Sequence, residues 1–173
     1  MKDASIKKMM VFGRPGSGKS TFASWVATAL NLPLHHLDKH FFTENWKERN
    51  YSEFLQIQQN IVDGNAWIVD GNSTQSLEMR WSKADLVLYF NFSKIICIFR
   101  LFKRIFKPNK AFDDRAPKCP EIIRWRLLKY TWHFEKRVDK QIEFLKAQYP
   151  RVIFKEIKND TELNKLKTEL MGQ

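Results

Sequence analysis

Eight residues near the N-terminus restrict this chain more than any others. Gly13-Arg14-Pro15-Gly16-Ser17-Gly18-Lys19-Ser20 carries G-x-x-x-x-G-K-[ST] at every fixed position. At ordinary glycine usage, a chance match in a chain of this length is on the order of one in two hundred. The context is also the one the mechanism requires. The apolar run Lys8-Met9-Met10-Val11-Phe12 precedes the motif and reads as a buried strand, and Thr21 to Leu30 follows it as a helix. Glycines let backbone N–H groups curl around a phosphate, and the helix N-terminus adds roughly half a positive charge. Lys19 supplies a point charge for β- and γ-phosphates, and Ser20 a hydroxyl for Mg²⁺. Gly13, Arg14, Pro15, Gly16, Ser17, Gly18, Lys19, Ser20 and Thr21 are therefore the expected binding residues for a nucleoside triphosphate.

A strand–loop–helix opening of this kind belongs to a parallel sheet, and the rest of the chain continues it. Strands are expected at Leu34–Leu37, Ala66–Asp70, Leu86–Phe90 and Arg151–Phe154. Helices are expected at Tyr51–Val62, from Ser93 (a natural N-cap) to about Lys107, from Pro120 to about Tyr149, and at Thr161–Leu170. Pro108 to Pro120 reads as a break. Five strands alternating with helices predict one α/β domain over residues 1–173, its sheet covered on both faces. Ligands of such sheets bind at the C-terminal strand ends, where Gly13, Asp38 and Asp70 fall.

Asp70, ending the third strand before Gly71, is the expected second metal-side residue beside Ser20. Gly71 stands where a hydrolytic motor usually carries Glu, and no Asn-Lys-x-Asp guanine reader is present. Asp38 ends the second strand and is placed to accept the proton of an attacking hydroxyl or to help hold the metal. His36, Asp38 and His40 alternate, although three residues on one short segment rarely close a metal's coordination sphere. Phe41, Phe42 and Trp46 are candidates for stacking on a planar substrate or for core packing.

Charge is unevenly spread. Of the net +11, residues 94–140 carry 14 Lys/Arg against 5 Asp/Glu, while the chain on either side is nearly balanced. That quarter should attract phosphate, on a nucleotide, a small substrate or a nucleic acid. Arg100, Lys103, Arg104 and Lys107 recur at helical steps; Arg100 and Arg104 are the candidates to stabilise a transferring phosphoryl group alongside Lys19 and Asp38. Ile122, Trp125, Leu128 and Trp132 form an apolar stripe on the long helix that Phe134, Val138, Ile142, Leu145 and Tyr149 continue. Trp125 and Trp132 are thus expected to be buried, which argues against their use on nucleic acid. Two isolated cysteines, no apolar run of membrane-spanning length and no secretory leader predict a cytoplasmic protein without a membrane role.

Taken in order, these segments resemble the small P-loop proteins known as DNA topology modulation proteins, a group within the nucleoside-monophosphate kinase-like P-loop NTPases. The matching pieces are Gly13–Thr21, Leu37-Asp38 with Trp46, Trp67 to Asn72, and Arg80 with Ala84-Asp85. Arg100 to Arg104, Cys119-Pro120-Glu121 and Tyr130 to Phe134 extend the match across nearly the whole chain. Ser73 stands where the group usually has an aromatic residue, and Phe112 to Arg115 where it often has Arg-Pro-Asp. The resemblance implies a three-layer fold with sheet order 2-3-1-4-5 and a helical lid, here basic and around residues 100–126. It also implies ATP and Mg²⁺ as cofactors. The function expected is a kinase moving the γ-phosphoryl group to a small-molecule acceptor. The alternative is a nucleic-acid-associated nucleotide-binding protein that influences DNA topology.

Overall fold

A computed structural model of the protein describes residues 6–106 and 125–172. In chain order the elements are β1 (Lys8–Gly13), α1 (Lys19–Leu30), β2 (Leu34–His36), α2 (Leu37–Phe41), α3 (Tyr51–Val62), β3 (Trp67–Asp70), α4 (Leu77–Trp81), β4 (Leu86–Phe90), α5 (Lys94–Phe106), α6 (Trp125–Gln148), β5 (Ile153–Ile157) and α7 (Asp160–Met171). The five strands form one parallel sheet in the order β2-β3-β1-β4-β5. The expected three-layer α/β P-loop architecture and strand order are both present. The segment between α5 and α6, which holds Lys107, Cys119 and most of the expected lid, lies outside the described residues.

Side chains of β1 alternate between two cores, as a strand covered on both faces requires. Met10 and Phe12 point into a cluster with Phe54, Trp81, Tyr89 and Phe134. Met9 and Val11 point into the other, with Phe22, Val26, Leu88 and Leu166. The central strands β1, β3 and β4 are buried along almost their whole length. This burial leaves the polar residues to the strand ends.

Three expectations shift. Asp38 does not end a strand: β2 stops at His36, and Asp38 sits exposed in the first turn of α2. The fifth strand runs Ile153–Ile157 rather than 151–154, because pairing of Leu86 with Ile153 through Phe90 with Ile157 carries it three residues past Phe154. As an edge strand it tolerates Lys155 and Glu156. Trp125 and Trp132 are exposed, by 79% and 46%, not buried. The later part of the expected stripe, Phe134, Val138, Ile142 and Leu145, is buried, together with Thr131.

Candidate nucleotide and phosphoryl-transfer site

The loop leaves β1 with Gly13 at φ 145°, where a Cβ would lie 2.3 Å from the Phe90 carbonyl oxygen. Gly16, at φ 82°, is equally committed, since its Cβ would meet the Cys97 carbonyl oxygen at 2.4 Å. Only glycine satisfies both the torsion and the close backbone approach. Gly18 caps α1 at φ 89°, and nothing lies within 4 Å of where its Cβ would be. Backbone donation from Arg14 to the Phe90 carbonyl (3.0 Å) and from Ser17 to that of Arg14 (3.1 Å) closes the loop. From the far side, the Asn72 side-chain oxygen accepts the Gly13 N–H at 2.9 Å.

At the mouth of this loop three expected residues meet. The ammonium of Lys19 lies 3.3 Å from Asp70 Oδ1 and donates to the Ser20 hydroxyl at 3.2 Å. Asp70 is buried. Burial by itself pushes its carboxyl up, but the Lys19 charge, the His36 hydrogen bond and charge, and the Ser20 hydroxyl outweigh it and hold the group down at about 2. Its Oδ1 makes no hydrogen bond among the described residues. A buried, ionised, under-satisfied carboxylate oxygen beside a hydroxyl is the hard donor set that Mg²⁺ takes. Ser20 and Asp70 therefore fit the metal that the fold implies.

The remaining expected residues are distributed around this centre. Arg100 on α5 reaches the loop, donating to the Ser17 carbonyl at 3.3 Å and to both oxygens of Asp160, at the start of α7, at 3.1 and 2.8 Å. Arg104 follows one turn later and is half-buried, whereas Lys103 is exposed. The outward face of α5 is not simply basic, for it also bears Ile95, Ile96, Phe99 and Phe102. Pro15 and Gly16 are half-buried, and Thr21 is exposed in the first turn of α1. Asp38 stands two residues beyond the end of β2. Phe41 packs on Phe54, and Phe42 meets Trp46 edge to face at 5.1 Å, beside the positive φ of 59° at Trp46. His35 and His40 have ring centroids 5.9 Å apart, and burial lowers the pKa of both. Among the described residues no three His, Cys, Asp or Glu side chains gather as a metal cluster.

Several partners were not legible in the motif. Arg14 is buried, and its guanidinium is engaged by the turn after β4 and by α6. It donates to the carbonyls of Phe92 (3.0 Å) and Thr131 (2.7 Å), and to Asn91 Oδ1 (3.1 Å) and Glu135 Oε2 (3.2 Å). Its backbone N–H is likewise taken, by the Phe90 carbonyl, so Arg14 ties the loop to β4 and α6. Arg80, fully buried, binds Gln58 Oε1 at 2.6 Å, the Ser76 hydroxyl at 3.2 Å and the Ser73 carbonyl at 2.9 Å, which braces the turn after Asp70. Burial pushes the Arg80 pKa down to about 9. His36 Nδ1 lies 2.9 Å from Asp70 Oδ2. The sequence singled out His36 only within the alternation with Asp38 and His40; its partner Asp70 comes from the register of β2 on β3.

No model of a known protein family matches the sequence, and no curated protein matches it. Solved structures do share the fold. The chain is similar to the shikimate kinase of Acinetobacter baumannii in complex with shikimate, at a TM-score of 0.59 and 13% identity over 98% of this chain and 96% of that one. It is also similar to the shikimate kinase of Bacteroides thetaiotaomicron, at a TM-score of 0.50 and 16% identity over 90% and 87% of the two chains. At such identities the likeness is one of fold. The three-layer α/β architecture that holds the Lys19, Ser20 and Asp70 cluster is the fold these two structures share.

Proposed function

We propose that this protein is an ATP-dependent kinase that transfers the γ-phosphoryl group to a small acceptor bearing a hydroxyl or a phosphate. The observation that carries the reading is the convergence of Lys19, Ser20 and the buried, ionised Asp70 at the mouth of a glycine loop. In this reading the loop backbone cradles the triphosphate, and Lys19 serves its β- and γ-phosphates. Ser20 and Asp70 hold Mg²⁺, which when bound neutralises charge on the phosphate oxygens. Asp38, exposed beyond β2, accepts the acceptor's proton, and Arg100 and Arg104 stabilise the transferring group. A cytoplasmic setting and the kinship with the DNA topology modulation group belong to the same proposal.

The test is a thermal-shift screen of nucleosides, nucleoside monophosphates, sugars and polyols with ATP and Mg²⁺, followed by ADP release on each hit. A ligand at 100 times its dissociation constant stabilises by about 2.7 kcal/mol. Stabilisation by ATP with Mg²⁺, and ADP release that requires one acceptor class, is the expected result. No stabilisation by nucleotide and no ADP with any acceptor would refute the kinase.

One observation favours a second reading, a nucleic-acid-associated role. Trp125 and Trp132 are exposed, and the Lys94 ammonium lies over one face of the Trp132 ring, 3.9 Å from its centroid, which sets a cation for a phosphate against an exposed aromatic surface. Nucleic-acid binding that falls steeply between about 50 and 200 mM salt, and that is lost in Trp132→Ala, would move this reading forward.

A further inference from the structure

Resting on the kinase reading, we propose that His36 is a positioning residue for the metal-side carboxylate: it anchors Asp70 Oδ2, so that Oδ1 is turned to Lys19 and Ser20.

The anchoring is built into the sheet. His36 and Asp70 are register partners on the parallel strands β2 and β3, and so are side by side at the C-terminal strand ends. A second tie fixes the approach. Gly71 follows Asp70 at φ 152°, and a Cβ there would lie 2.6 Å from Leu37 Cβ. Glycine at 71 thus lets the β2–α2 junction press against the exit of β3, which brings His36 against Asp70. The His36 side chain is 10% exposed and that of Asp70 3%, so water does not compete freely for the contact.

The chemistry of the pair sets the proton. Asp70 is ionised and acts only as an acceptor, so the Nδ1–H of His36 donates across the 2.9 Å gap. The two carboxylate oxygens then have different work. Oδ2 is held by the imidazole, while Oδ1 faces the ammonium of Lys19 at 3.3 Å and has no hydrogen bond among the described residues. A carboxylate pinned through one oxygen presents the other in one orientation, and outer partners of this kind tune metal ligands in general.

The experiment compares wild type, His36→Leu and His36→Asn by calorimetric titration of a non-hydrolysable ATP analogue, with and without Mg²⁺. Binding is thus measured apart from turnover. His36→Leu should raise the Mg²⁺ concentration for half-maximal binding about 10- to 100-fold. Metal-free analogue affinity should stay within a few-fold of wild type. His36→Asn, whose amide can donate where Nδ1 does, should recover most of the Mg²⁺ response. An unchanged Mg²⁺ requirement in folded His36→Leu, or an equal loss with and without metal that Asn does not rescue, would overturn the inference and leave the kinase reading standing. No binding of the analogue with Mg²⁺ by wild type would remove both. The unmutated protein supplies a further check: ¹⁵N–¹H spectra should show the His36 ring protonated at Nδ1. A neutral ring protonated at Nε2 would overturn the anchoring.

Discussion

Lys19 and Asp70 pair across 3.3 Å, so under the proposed function a triphosphate arriving at the loop must share or take the lysine. Lys19 is not a surface charge, since its side chain is 15% exposed and faces a buried carboxylate. Lys19→Ala should lower ATP affinity about 10- to 100-fold, the worth of a charge-assisted contact. It should also cost about 2 kcal/mol of stability, because Asp70 keeps only His36 and Ser20. Calorimetry and urea melts check the two effects, and wild-type affinity in the variant would remove Lys19 from the site. Asp70→Asn keeps the shape and loses the charge, so nucleotide binding should survive better than turnover, and turnover should need more Mg²⁺. The carboxyl also marks the acid limb of stability. A group held below its ordinary value stabilises the fold fully above about pH 4, and this contribution is lost as pH falls toward about 2. The loss, without added Mg²⁺, should be about 2 kcal/mol in wild type and absent in Asp70→Asn.

Among elements, the loop is tied to more than its own helix. Arg14 joins it to the turn after β4 and to α6 through two backbone carbonyls, an amide and Glu135. Arg14→Ala leaves the buried Phe92 and Thr131 carbonyls without these donors and should cost about 3 kcal/mol in urea unfolding. Glu135→Gln should cost less than about 1 kcal/mol, because the Glu135 side chain is half exposed and its pairing is screened. Equal costs would place the tie in the ion pair rather than in the carbonyl contacts. The elements themselves were largely readable: α3 and β4 fall on their expected residues, since a strong amphipathic period and a five-residue apolar run leave little choice. What the sequence could not give is destination. A stripe has helical spacing whether it meets a core or solvent, and α6 buries its Phe134, Val138, Ile142 and Leu145 while Trp125 and Trp132 stay exposed. Arg14 occupies a variable position of its motif, so the pattern says nothing of its guanidinium. His36 has its meaning only from the register of β2 on β3.

At the scale of the molecule, the excess positive charge has to be sorted into what serves phosphate and what only faces water. Residues 94–140 hold most of it, and within the described part α5 separates the two roles. Arg100 touches the glycine loop and α7 at once, so it joins elements far apart in sequence, while Lys103 on the same helix is exposed. The Arg100–Asp160 pair is itself a poor source of stability, with side chains 33% and 67% exposed. Its cost of retention makes more sense as an orientation of the guanidinium against the Ser17 carbonyl. Arg100→Gln and Arg104→Gln, made separately, should then lower kcat far more than they raise KM for ATP, as interactions made chiefly in the transition state do. The arginine that stabilises the transferring group should cost about 10³ to 10⁵ in rate, and Lys103→Gln no more than a few-fold. Asp160→Asn supplies the connecting measurement: if Asp160 orients Arg100, the variant should reproduce part of the Arg100→Gln loss in kcat with stability changed by less than about 1 kcal/mol. Near-normal turnover in both arginine variants would assign the basic quarter to solvent or to a polyanion, and a steep salt dependence of nucleic-acid binding would then decide between those two.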